Sequence, residues 1–172
     1  MNSILKISVF ALTLSFAACS SETAPKPAAG GPLSAFIAPA APADAKPVLA
    51  IRKDGAAGAE VTVVGRAKDF VSGRAAFTLI DSSLRACSDA GDPMEDSCET
   101  PWDYCCVDPE EVGAACATIE LRDASGVIKS ELKGVSGLDH LDTVYVNGTL
   151  EKDAAGNLTV VAKSFHVQKA KK

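Results

Sequence analysis

Four of the six cysteines stand in one stretch, Cys87 to Cys106 (CSDAGDPMEDSCETPWDYCC), together with the single tryptophan and a run of carboxylates. Thiols close loops as disulfides, hold soft metal ions as thiolates, or exchange electrons as a dithiol. Cys105 and Cys106 are neighbours, with α-carbons about 3.8 Å apart and so below the usual disulfide window; each is expected to pair outward. The spacing predicts two bridges among Cys87, Cys98, Cys105 and Cys106, in a connectivity the sequence leaves open, with Cys116 left over at the start of a later strand. Such bridges would staple a long acidic loop with little core of its own, each contributing about 2–4 kcal/mol. Pro101, Trp102 and Tyr104 would pack over them as a miniature core. The alternative is a metal site for copper or zinc, with Cys98, Cys105 and Cys106 as soft ligands and Cys87 or His140 as a fourth. The spacing CxxxxxxCC lacks the paired knuckles of structural zinc sites. With no CxxC and nothing basic in the stretch, a redox dithiol is disfavoured.

Charge narrows the partners. From Cys87 to Glu111 there are nine carboxylates and no Lys or Arg, in a chain whose formal net charge is −5. That excludes a nucleic-acid partner, which needs a basic groove interleaved with aromatic residues. The carboxylates of Asp89–Asp96 miss the EF-hand spacing and read as a solvated loop. Neither a GxSxG elbow nor an HExxH helix occurs, so no catalytic residue is assigned. What is left is a binding or structural module without a cofactor. Trp102, Asp103 and Tyr104 are its candidate contact residues for an envelope protein, peptidoglycan or a cationic partner.

The first 18 residues read as an export signal: Lys6, an apolar run Ile7–Phe16, then Ala17-Ala18. Ten apolar residues are too few for a permanent membrane span. Phe16-Ala17-Ala18-Cys19 resembles the lipobox of bacterial lipoproteins, although Phe16 stands where Leu is usual. The resemblance implies that Cys19 is acylated and becomes the mature N-terminus. Ser20 after it, by similarity to enterobacterial sorting, implies the outer membrane, facing the periplasm. Residues 19–47 are Ala- and Pro-rich, with prolines at 25, 27, 32, 39, 42 and 47, and are expected to form a tether.

Period-two alternation then takes over in residues 48–169. Val61-x-Val63-x-Gly65-x-Ala67, Phe77-x-Leu79, Ala115-x-Ala117-x-Ile119-x-Leu121, Val144-x-Val146-x-Gly148-x-Leu150 and Leu158-x-Val160-x-Ala162 predict five half-buried strands. Val127–Leu132 is expected to continue after a turn that follows the third strand, and 134–141 to form a small helical insert. Glycines inside the first and fourth strands mark the bulges or sharp curvature a narrow barrel needs. The pattern resembles the OB-fold, a five-stranded partly open barrel, and is similar to the anticodon-binding type and to small exported OB-like proteins. It implies an all-β domain carrying residues 82–113 as an insertion between its second and third strands. Periplasmic haem chaperones are also membrane-tethered OB-like barrels, but no position here matches their haem-attaching histidine motif.

Overall fold

The computed structural model describes residues 31–89 and 98–170. The export signal, Cys19, the first part of the tether and Asp92, Glu95 and Asp96 of the acidic run lie outside them. Among the described residues no helix is long and apolar enough to cross a membrane.

The described residues form eight strands: β1 (Lys46–Pro47), β2 (Glu60–Phe70), β3 (Ala76–Ile80), β4 (Cys116–Glu120), β5 (Arg122–Asp123), β6 (Gly126–Val127), β7 (Thr143–Lys152) and β8 (Leu158–Gln168). Two short helices join them, α1 (Val48–Asp54) and α2 (Pro109–Ala114). Strand β2 pairs antiparallel with both β3 and β7; β3 pairs with β4, β4 runs parallel to β8, and β8 pairs with β7. These pairings close a five-stranded ring, with β1 appended parallel to β2. A meander of three strands, a parallel β4–β8 closure and a return through β7 is the OB-like topology that the alternation implies.

The alternation holds residue by residue. Val63, Ala67, Phe77, Leu79, Ile119, Val144, Val146, Leu150 and Val160 all lie inside and are essentially inaccessible. The two strand glycines sit where the neighbouring strand comes too close for a side chain. A Cβ on Gly65 would collide with the Ile80 carbonyl oxygen and lie 2.9 Å from Leu79 Cγ. One on Gly148 would collide with the Val161 carbonyl oxygen, next to the bulge at Asn147/Gly148.

Three expectations need correction. Residues before Val48 pack on the barrel: Leu33 is 3% exposed within the barrel core, Ile37 bridges to Phe165, and the Ala38 N–H donates to the Phe165 carbonyl at 2.7 Å. An isolated Leu and Phe36-Ile37 supply enough apolar surface to hold this part of the expected tether against β8. Helix α1 was not expected; Val48 and Ile51 bury one face of it in the barrel core. The segment after β4 forms only the two-residue hairpin β5–β6. The expected small helical insert is present as a 3-10 turn at Val135–Gly137.

Candidate functional site

The insertion leaves and rejoins the ring at one point, where the Asp81 N–H donates to the Ala115 carbonyl at 2.9 Å. Its scaffold comes from the outer face of β3. Alternation sends Phe77 and Leu79 inward and Ile80 outward, yet Ile80 is fully buried. Leu84, Ala86, Tyr104 and Ala115 cover it, forming a second apolar cluster separate from the barrel core, with Val107, Val112 and Leu141 packed at its margin. The insertion thus has a core that does not depend on sulfur.

Polar groups complete the attachment. Asp81, 3% exposed, accepts from the Leu49 N–H at the start of α1 and from the N–H and hydroxyl of Ser83. Asp89 forms a two-pronged ion pair with Arg66 of β2, one prong at 2.9 Å, and also accepts from the Ala86 N–H. Lys68, two residues along β2, reaches Asp103 at 3.3 Å. The Cys87 N–H donates to the Asp103 carbonyl and the Ser88 N–H to the Pro101 carbonyl, each at 2.8 Å, which zips the two arms together. Asp108 caps α2 by accepting from the Glu110 N–H, with Pro109 at the first helical position and Glu110 and Glu111 in the first turn. Its pairing with Arg66, above all, holds the Asp89 carboxyl below the usual range. The Tyr104 N–H, with Lys68, does the same for Asp103. Although no basic residue lies within the stretch, two outward-facing cations of β2 neutralise part of it.

The cysteines converge without bonding. All five described thiols are free. The sulfurs of Cys87 and Cys105 are 3.1 Å apart, against about 2.05 Å for a disulfide. The expected pair of bridges among Cys87, Cys98, Cys105 and Cys106 is therefore not formed in this structure. Its supposed purpose, supplying rigidity to a loop with no core, is met by the Tyr104 cluster and the ion pairs. Cys87, Cys105 and Cys106 bring their sulfurs within 4.8 Å of one another. Cys98 is not in this group; its thiol lies 3.9 Å from the Thr100 hydroxyl. Hydrogen bonding from Cys105 lowers the Cys87 thiol, and Cys105, hydrogen-bonded to Cys87 and Cys106, is pushed up to about 12. Cys116 opens β4, and burial pushes its thiol up.

His140 is not among the clustered ligands. Its Nδ1 donates to the Lys68 carbonyl, and its ring lies between two aromatic side chains: edge-on to Phe70 at 5.1 Å and stacked on Trp102 at 5.1 Å. Phe70 in turn stacks on Phe77 in the barrel core at 5.9 Å. Leu141 holds a positive φ of 64° while its N–H donates to the Ala67 carbonyl, a conformation that costs a bulky residue about 1–2 kcal/mol and fixes the corner bearing His140. A continuous series of rings thus runs from the core to Trp102, 37% exposed, at the edge of a cavity of about 300 Å³ lined by Ser88, Pro101, Lys133, Asp139, His140 and Leu141. Tyr104 takes no part in this surface. At 2% exposure it is an anchor rather than the contact residue expected, and its hydroxyl has no hydrogen-bond partner. Asp103 remains partly exposed but is engaged by Lys68.

No family model matches the chain, and no curated protein matches it. Solved structures similar to it include two complexes of OBody proteins. "OBody AM1L10 bound to hen egg-white lysozyme" shares 13% identity, covering 77% of this chain and 98% of that one, with a TM-score of 0.42. "OBody AM2EP06 bound to hen egg-white lysozyme" shares 16%, covering 76% and 100%, with a TM-score of 0.43. The strand pairing itself defines the fold.

Proposed function

We propose that the chain is a non-enzymatic binding module of the cell envelope, lipid-tethered through Cys19. The barrel is the pedestal, the insertion 82–113 the platform, and Trp102 the contact residue. The observation that carries this is the ring series Phe77–Phe70–His140–Trp102, which holds an indole at the surface in a fixed orientation. An aromatic side chain already ordered in the free protein loses little conformational entropy on binding, and tryptophan is enriched where interfaces carry most of their energy. The cavity beside it offers both donors and acceptors, Ser88, Lys133 and Asp139, the last two paired at 3.3 Å, and favours a polar, hydroxyl-rich partner: peptidoglycan, or the polar face of an envelope protein.

The test uses the full lipidated chain in its own envelope. Crosslinking and co-sedimentation with purified peptidoglycan are compared for the natural protein, Trp102→Phe and Trp102→Ala. Capture is expected to survive the Phe replacement and to be lost with Ala. A normally folded Trp102→Ala protein that captures the same partners to the same extent contradicts the proposal.

A further inference from the structure

We propose that Cys87, Cys105 and Cys106 form a three-thiolate site for a cuprous ion. The site is independent of the contact role of Trp102. Its geometry comes from two pieces of backbone. The Val107 N–H donates to the Tyr104 carbonyl at 3.0 Å, closing a turn whose two central residues are Cys105 and Cys106. In an extended strand, adjacent side chains point to opposite faces; in this turn, the two sulfurs come within 4.0 Å of each other. The Cys87–Asp103 and Ser88–Pro101 hydrogen bonds then set Cys87 beside them, its sulfur 3.1 Å from that of Cys105.

Convergence of a vicinal pair on one point separates a metal site from two bridges, because partners in separate disulfides have no reason to share a centre. Thiolates about 2.3 Å from a central ion stand about 4 Å apart in a trigonal plane. The observed separations, 3.1 Å and 4.0 Å within a group spanning at most 4.8 Å, bracket that value. An ion would seat with sub-ångström side-chain shifts.

Soft thiolates select a soft ion. Three converging sulfurs suit the low coordination number of copper(I), whereas structural zinc is held by four closed ligands, and His140 is committed to Lys68 and Trp102. Two of the three ligands, Cys105 and Cys106, are exposed while Cys87 is buried, so the ion can be delivered and removed from one side. Binding involves no change of oxidation state: three thiols release three protons to solvent as three copper–sulfur bonds form.

The experiment titrates the reduced full chain anaerobically with cuprous ion against bathocuproine disulfonate, followed by copper-edge X-ray absorption on the loaded natural protein. One ion per chain with three sulfurs in its shell is expected. Cys105→Ser and Cys106→Ser should lose binding, and Cys116→Ser should keep it. The absorption measurement does not depend on any variant folding. No binding by the reduced natural protein, a shell without sulfur, or undiminished binding by a Cys105→Ser/Cys106→Ser double variant would overturn the assignment. So would a protein isolated from its envelope with these three thiols and Cys98 oxidised to two disulfides.

Discussion

Replacing Tyr104 by Ala should loosen the insertion while leaving the barrel closed. Truncating a large buried aromatic costs about 3–5 kcal/mol. Tyr104 is 2% exposed against Ile80, Leu84, Ala86 and Ala115, so it belongs in that range. Its hydroxyl is buried without a partner, and removing such a group recovers about 1–3 kcal/mol. From the middle of each range the net loss is about 2 kcal/mol, and it is local because this cluster is separate from the barrel core. Amides of 82–89 and 98–115 should then exchange about 30-fold faster, with those of β7 and β8 unchanged. Hydrogen exchange read by mass spectrometry, in reductant, measures this directly. Tyr104→Phe serves as the control: it keeps the ring and sheds the unpaired hydroxyl, so it should protect the insertion at least as well as Tyr. Unchanged exchange in Tyr104→Ala, or loosening by Phe equal to that by Ala, would refute the reasoning.

Three further outcomes follow from the same geometry. Gly148→Ala forces a methyl group into the Val161 carbonyl and should cost about 1–3 kcal/mol by urea denaturation, whereas Ala at the open position Gly113 should cost little. Leu33→Ala should destabilise the barrel by about 2–5 kcal/mol, an effect that a free tether could not produce. Acid should release the insertion before the barrel. Asp89 and Asp103 have folded-state pKa values below those of the unfolded chain, so their stabilisation is complete above about pH 4 and is lost as pH falls through the lower folded values. Tryptophan fluorescence of Trp102 should report that step ahead of the loss of β-sheet circular dichroism, and Asp89→Asn should lack much of it.

The ring was readable because each of its strands buries alternate residues, and an error of one position would have exposed a valine or leucine that in fact lies inside. Strands β7 and β8 contain every alternating position predicted for them, Val144 to Leu150 and Leu158 to Ala162. Helix α1 escaped notice because seven residues carry too few apolar positions to establish a helical period, and Leu33 because one leucine in an Ala/Pro-rich run has no pattern around it. Helix α2 did leave a signal: Asp108-Pro109-Glu110-Glu111 holds a capping residue, a first-position proline and first-turn acids. The support of the insertion was harder to see. Arg66 and Lys68 lie 23 and 35 positions before the carboxylates they meet, and only the closed ring turns that face of β2 toward them. Ile80 was the one local clue, an outward position filled by a residue that seldom stays in solvent. Overlooking that cover led to the expectation that sulfur alone must rigidify the loop.

The central claim is that apolar packing and ion pairs, not covalent sulfur, hold the platform in place. Hydrogen exchange at the Cys87, Ser88 and Ala115 amides, in the full chain after complete reduction and chelation, addresses it without any substitution. Protection equal to that of the untreated protein is the predicted result. Exchange at the rate of an unstructured peptide, with the barrel still protected, would contradict it.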